Sequence, residues 1–297
     1  MSQIIQYLSN ISAQYDAVFC DLWGCLHNGH TPFPAAVRAL QTYRRAGGTV
    51  ILVTNSPRPS ASVKAQLDGM HVPQDCYDAI ASSGDAAQFG FYGGAAGQKV
   101  YHIGPPHDVG FFTSVSAELN VFMAQNPTIE RVDFDAAQGI VCTGPFNDAV
   151  DTPEDYRDQF AKAISRNMPM LCANPDIIVD RGDQRIYCAG ALAALYSQMG
   201  GLSLYYGKPH APIYDLARRR LSQLQPDLKS PRALAIGDGI DTDILGAMYQ
   251  GIDSLFITSG IAAGNFGANT QNPEAALLTP WLAAQDRTTT FSIGFLR

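Results

Sequence analysis

Short apolar runs that each end in a polar residue, set between helical stretches, are what most narrows the folds open to this chain. Ala17-Val18-Phe19-Cys20 leads into Asp21, Val50-Ile51-Leu52-Val53 into Thr54, and Ala233-Leu234-Ala235-Ile236 into Gly237-Asp238. A fourth run, Leu202-Ser203-Leu204-Tyr205-Tyr206, leads into Gly207-Lys208-Pro209. Each run reads as a strand buried in a sheet. Strands that alternate with helices build a parallel sheet, and ligands bind at the carboxyl edge of such a sheet. A carboxylate, a hydroxyl, an ammonium and a second carboxylate converging on that edge make a site for a phosphate and a metal ion.

The alternation can be followed along the first ninety residues. Ala17–Cys20 is expected as a strand, Pro34–Arg45 as a helix closed by Gly47-Gly48, Thr49–Val53 as a strand, Ser60–Asp68 as a helix and Ala79–Ser82 as a third strand. It resumes with Leu202–Tyr206, the helix Ala211–Leu224, the strand Ala233–Ile236, the short helix Ile244–Gln250 ending at Gly251, and the strand Ser254–Ile257. Residues 264–274 read as a loop and Phe291–Leu296 as a final strand. Ile4, Ile5, Leu8 and Ile11 recur at helical spacing, which predicts an amphipathic N-terminal helix.

The stretch between has a different texture. Gly93-Gly94 and Pro105-Pro106 break it early. Thr152-Pro153-Glu154-Asp155 places a hydroxyl cap, a proline at the first helical position and acidic residues on the positive end of the dipole, so a helix to about Arg166 is expected. Ala191–Met199 reads as another helix, ending at Gly200-Gly201. The expected organisation is a core from residues 1–84 and 203–297, with an α/β domain of residues 85–202 inserted into it.

With 297 residues, nearly half of them apolar, the chain can bury a large core. A formal charge of −7 argues against nucleic acid or a membrane surface as partner, so an anionic substrate needs local positive charge from a metal or from placed Lys and Arg residues. The six cysteines include no Cys-x-x-Cys pair and several sit in apolar runs, which predicts buried reduced thiols. No signal-peptide pattern and no run long enough to span a bilayer is present, and a cytoplasmic protein is expected. Self-association is left open.

Asp21, at the end of a buried strand and before a glycine turn, is the candidate nucleophile: a carboxylate can attack phosphorus and form an aspartyl-phosphate. Asp238 opens the acidic loop Gly237–Asp243, which suits Mg²⁺, a hard cation held by one or two carboxylates together with substrate phosphate. Asp243 either caps the following helix or orients a metal-bound water. Lys208 can neutralise the nucleophile and the transferring phosphoryl group together. The Thr54 hydroxyl and the backbone beside Asn55 can hold a phosphate oxygen, and Arg58 is a further phosphate contact or a surface charge.

Asp, Thr, Lys and Asp in this order resemble the haloacid dehalogenase superfamily, and in detail its class IIA phosphatases, which carry a large α/β cap. The matching segments are Leu52-Val53-Thr54-Asn55-Ser56-Pro57-Arg58, Asn174-Pro175-Asp176, Gly207-Lys208-Pro209 and Gly237-Asp238 to Ile244. The resemblance implies a Rossmann-like doubly wound core with an inserted α/β cap. It implies Asp21 as nucleophile, Mg²⁺ on Asp21, Asp238 and the backbone carbonyl of Trp23, and Thr54 and Lys208 on the phosphoryl group. Asn174, Pro175 and Asp176 would face a small phosphorylated metabolite, such as a sugar phosphate or a nucleotide, from the cap. Arg181 and Arg185 follow that loop.

The first motif departs from the family's Asp-x-Asp-Gly and reads Asp21-Leu22-Trp23-Gly24. Trp23 cannot serve as the general acid and base, a role worth roughly 10²–10⁴ in rate. His27, on the same loop, is the leading substitute, with a loop-shaping role as its alternative. The expected activity is therefore Mg²⁺-dependent phosphatase chemistry through an aspartyl-phosphate. A related reaction that needs no carboxyl at this position, and a weak or inactive phosphate-binding or regulatory protein, are the alternatives.

Overall fold

The computed structural model describes residues 2–181 and 184–297, with the side chains of residues 180, 181, 184 and 185 outside the description. Two compact units emerge. The first takes the chain up to Thr54, Lys64–Ala81 and Lys208–Arg297; the second takes Asn55–Val63 and Ser82–Gly207.

Among the described residues, the first unit is built on a seven-stranded sheet in the order Gln3–Ile4, Phe291–Ile293, Asp253–Ile257, Ala233–Gly237, Ala17–Cys20, Thr49–Thr54, Ala79–Ser82. Pairing is parallel from the first of these to Thr49–Thr54, with Cys20 opposite both Ile236 and Leu52. The Ala17–Cys20 and Thr49–Thr54 strands are buried at every position, because helices cover both faces of a parallel sheet. After the edge strand Gln3–Ile4 the chain enters the middle of the sheet at Ala17–Cys20, runs out one way through Thr49–Thr54, then returns to add Ala233–Gly237 on the other side. The order of strands therefore reverses between Ala17–Cys20 and Ala233–Gly237, the crevice where open sheets bind ligands.

The helix Pro34–Arg45 forms as its sequence predicts. Pro34 occupies the first turn, where its missing N–H costs nothing, and Gly47 ends the helix at φ +97. Its inner face buries Ala36, Val37, Leu40 and Tyr43, with about 1.5–3 kcal/mol from each of the larger aliphatic groups.

The second unit carries a parallel sheet ordered Ser203–Tyr205, Met170–Cys172, Gly139–Cys142, Lys99–Ile103, Glu130–Arg131. Alternate residues serve opposite faces. Ile140, Cys142, Met170 and Cys172 pack with Phe160, Leu192 and Tyr196, whereas Val141 and Leu171 pack with Phe91, Phe111 and Leu119. An antiparallel pair, Ile178–Arg181 with Gln184–Tyr187, follows the Asn174 loop.

Two expectations are corrected. The N-terminal segment is no helix: Gln3–Ile4 adds a parallel strand to the sheet, followed by turns at Leu8–Asn10 and Ser12–Gln14. The Asn10 side chain accepts the Gln6 and Tyr7 N–H groups, competing with helical bonding, while Ile5, Leu8 and Ile11 are still buried. The second correction concerns Ser203–Tyr205, which pairs with Met170–Cys172 in the smaller sheet instead of opening the C-terminal half of the core. Its half-buried residues suit an edge strand, and nothing local in its sequence names its partner. All six cysteines are buried and free, as expected. No helix among the described residues is long and apolar enough to cross a membrane.

Candidate active site

Where the strand order reverses, Asp21 leaves Ala17–Cys20 and Asp238 leaves Ala233–Gly237. The Asp21 N–H is held by the Ile236 carbonyl at 2.8 Å, so one ladder bond fixes the Asp21 backbone against the neighbouring strand. Thr54 ends the next strand and is buried.

Lys208 reaches this edge from a different direction. It follows the last strand of the second unit and precedes the helix Ala211–Leu224. Its buried Nζ donates to Asp21 Oδ1 at 2.6 Å, to Asp243 Oδ1 at 2.7 Å and to the Val53 carbonyl at 3.0 Å. Burial alone would lower its pKa, but the charges and hydrogen bonds of Asp21 and Asp243 outweigh burial and hold it well above the usual lysine range. It is an ammonium at any working pH, pointed at the Asp21 carboxylate.

Asp243 combines the two roles left open for it only in part. Its Oδ2 accepts the Gly239 N–H at 3.1 Å, closing the acidic loop at the start of the following helical turn, while Oδ1 takes Lys208. Burial pushes its carboxyl up to about 6, against the pull of Lys208. Asp238 is buried too, and burial together with the charges of Asp21 and Asp243 holds its pKa well above the usual carboxylate range. Its Oδ2 accepts the Ile261 N–H at 3.1 Å.

These contacts leave an electrostatic imbalance. Among the described residues, Asp21, Asp238 and Asp243 face Lys208, three carboxyl groups against one ammonium, in a place where isolated charge is costly. Ligand atoms of Asp21, Asp238 and Cys25 lie within 4.8 Å of one another. The oxygen donors suit a hard divalent cation, whereas the Cys25 thiol, buried and pushed far up in pKa, does not. The loop is shaped for this convergence. Gly24 has φ +70, and a Cβ there would stand 2.1 Å from Asp238 Oδ2; a Cβ on Gly260 would stand 1.9 Å from the same atom. The donors and their cradle fit Mg²⁺. Cys25 was not anticipated as a neighbour of the pair; its only sequence signal is its place on the Asp21 loop.

Trp23 and His27 form a separate small assembly on that loop. A backbone bridge joins them, and their rings meet edge to face with centroids 5.5 Å apart. The indole lies over Gly29, which has φ +89 and where a Cβ would be 2.2 Å from the ring. The His27 Nδ1 accepts the Gly29 N–H at 2.9 Å, so in the neutral ring the proton is on Nε2. His27 is 1% exposed, and burial lowers its pKa to about 4. A neutral, enclosed imidazole does not fit the part of a substitute general acid; it fits that of a support for Trp23, whose own side chain remains 37% exposed.

The remaining candidates lie in the second unit. Asn55 Nδ2 donates to Asp176 Oδ1 at 2.7 Å, and the Asp176 N–H donates to Asn174 Oδ1 at 3.0 Å. Pro175 packs so closely on Gly207 that a Cβ there would be 2.5 Å from its Cδ. Asn55, Asn174 and Asp176 are thus one hydrogen-bonded group, with Pro175 packed on Gly207 beside it. The Arg58 backbone N–H donates to Ser56 Oγ at 3.3 Å, and its charge is one of the smaller influences opposing the burial that raises the pKa of Asp108. The side chains of Arg181 and Arg185 fall outside the description.

Residues 18–117 match a family model described as haloacid dehalogenase-like hydrolase, and residues 205–278 match one described as HAD-hydrolase-like. The chain is similar to a solved hydrolase of the haloacid dehalogenase-like family from Brucella suis 1330, at 38% identity and a TM-score of 0.82, covering 99% of this chain and 100% of the other. It is 24% identical over 253 residues to the ribonucleotide monophosphatase NagD of Escherichia coli (strain K12), covering 83% of this chain and 88% of that one. It shares its fold with the glycerol phosphate phosphatase Rv1692 of Mycobacterium tuberculosis, solved in complex with magnesium, at 23% identity and a TM-score of 0.60, covering 84% and 70% of the two chains.

Proposed function

The chain belongs to the haloacid dehalogenase-like hydrolases, and on that premise we propose that it is an Mg²⁺-dependent phosphatase of a small phosphorylated metabolite, acting through an aspartyl-phosphate on Asp21. The observation that carries the reading is the Asp21 carboxylate held by the buried Lys208 ammonium at 2.6 Å, at the switch point of the sheet and beside Asp238. The named phosphatases among the relatives support it.

In the first step an Asp21 oxygen attacks phosphorus, and the bond from phosphorus to the leaving oxygen breaks. In the second a water oxygen attacks phosphorus, the bond to Asp21 breaks, and the carboxylate is restored. Lys208 holds Asp21 in place and offsets charge on the transferring group, and Thr54 binds a phosphoryl oxygen. Asp21, Asp238 and the Trp23 carbonyl would hold Mg²⁺, which supplies Lewis-acid stabilisation of phosphoryl charge when bound. Asp243 keeps Lys208 oriented and charged. We take the second unit as the cap, with Asn55, Arg58, Asn174, Pro175 and Asp176 as its candidate substrate-binding residues. Sugar phosphates, nucleotides and aryl phosphates are the classes to try.

Phosphate release over a panel of such compounds, with and without Mg²⁺, tests the reading. Native protein should turn over one class only with the metal, and Asp21→Asn should lower kcat by ~10³ or more. Unchanged turnover in Asp21→Asn would remove Asp21 as nucleophile. The second reading, a phosphate-binding protein with little turnover, rests on Trp23 in place of a general acid; phosphate binding without release from any member of the panel would favour it.

A further inference from the structure

Among the described residues around Asp21, none supplies a proton to the departing group. Lys208 is engaged by Asp21, Asp243 and the Val53 carbonyl, and Asp243 is committed at both oxygens. Asp238 accepts from the Ile261 N–H and faces the cation site, and Cys25 is sealed in the core. Two residues beyond the nucleophile stands an indole, whose N–H is no acid in the working range of an enzyme. That indole is placed, not merely tolerated: Gly29 leaves the space its ring fills, and His27 braces its edge.

Resting on the phosphatase reading, we propose that the substrate is a phosphate compound of an acidic, planar leaving group, such as a phenol, an enol or a carboxylic acid, with Trp23 as the flat wall against which that group lies. Such a group needs no acid. When the Asp21 oxygen bonds to phosphorus, the pair of electrons in the bond to the leaving oxygen goes with that oxygen, which departs as a stable phenolate, enolate or carboxylate and meets its proton in solvent. The aspartyl-phosphate has a carboxylate as its own leaving group, so its hydrolysis also needs no acid; the attacking water gives up its proton to solvent or to the phosphate formed. The half-exposed indole face gives apolar contact and stacking to an unsaturated group, and little to a flexible polyol. An alkyl phosphate, in contrast, must expel an alkoxide unaided, a handicap of roughly 10²–10⁴ in rate.

The test is the rate of phosphate release from a series of aryl phosphates of graded phenol acidity and from glycerol phosphate. Native protein, Trp23→Asp and Trp23→Phe are compared with Mg²⁺ present. In native protein kcat/KM should fall by ~10² or more from the most to the least acidic phenol, with glycerol phosphate slower still. Trp23→Phe should keep that steepness, because it restores no proton. Trp23→Asp should flatten it, chiefly by raising kcat on glycerol phosphate. If Trp23→Asp does not fold, the native series decides alone. Native rates that are equal on glycerol phosphate and on the aryl esters would overturn the inference and leave the phosphatase reading standing. No release from even the most acidic ester would overturn the phosphatase reading, and the inference with it.

Discussion

Lys208→Met removes the ammonium that donates to Asp21 and Asp243 and keeps a side chain of similar reach. Lys208 is buried and donates to at least three acceptors within 3.0 Å, so the loss cannot be made good by solvent. Breaking a buried pair from one side costs about 3–5 kcal/mol, because the partner charges stay behind. The size should depend on pH in a way that identifies the partner. Asp243 titrates near 6 in the native fold with Lys208 among the influences lowering it, so in the variant its pKa moves higher. Its unfolded value is about 3.9. The folded variant then binds more protons than the unfolded chain up to and beyond neutrality, and its stability falls as pH rises through that window. In native protein the same slope ends near pH 6. Lys208 itself, raised in pKa by folding, contributes fully below its unfolded value and loses that contribution only in strong alkali. The deficit of the variant should therefore widen between pH 6 and pH 8, at about 1.4 kcal/mol per unit where a single carboxyl carries it. Both tryptophans, Trp23 and Trp281, lie in the first unit, so urea unfolding followed by tryptophan fluorescence in EDTA reads the unit in question. A deficit under ~1 kcal/mol, or one that is the same at pH 6 and pH 8, would refute the idea that Lys208 is the counter-charge of this site.

Further outcomes follow from the same geometry. Mg²⁺ should raise the melting temperature of native protein, by up to about 2.7 kcal/mol of added stability at a hundredfold excess over Kd, and Asp238→Asn should abolish most of that rise, as read by calorimetry. His27 is held neutral by burial with a pKa of about 4, below its unfolded value near 6.5. The folded state thus takes up fewer protons than the unfolded chain between those values. Native protein should lose up to ~3 kcal/mol as pH falls from 7 to 4, and His27→Gln should lack that component in urea titrations. The same variant should leave no missing inflection near pH 6.5 in the rate profile; if one disappears, His27 does move protons in turnover.

Asp21, Thr54 and Asp238 were legible because each is the first polar residue after a buried strand, a signal contained in five or six consecutive residues. Asp243 was legible as a member of the loop but not in its role, since its partner Lys208 lies 35 residues away along the chain. Lys208 does meet Asp21 and Asp243, but not by the route its sequence suggests. The Ser203–Tyr205 run does end in a glycine before the lysine, but its hydrogen bonds go to Met170–Cys172. Strand pairing is a long-range choice that a short run cannot declare. The inserted stretch hid most of its strands for a related reason: Gly139–Cys142 and Met170–Cys172 are four and three residues long. Ala275–Ala284 escaped because Pro280 interrupts its helical pattern, while Leu278 and Leu282 still reach the core and Trp281 stacks on Phe256 at 5.9 Å. The enclosure of His27 was not legible, because its typical solution pKa says nothing of a loop that buries it.

The buried thiols have a practical consequence. Cys20, Cys25 and Cys76 belong to the first unit and Cys142, Cys172 and Cys188 to the second, and all six are enclosed. A thiol reagent can reach them only when the fold opens around them, so the rate of alkylation at each is a clock for opening at that place. Because the two sets divide evenly, mass spectrometry of the labelled peptides would time the two units separately in one tube, on the unmodified chain and without an engineered probe.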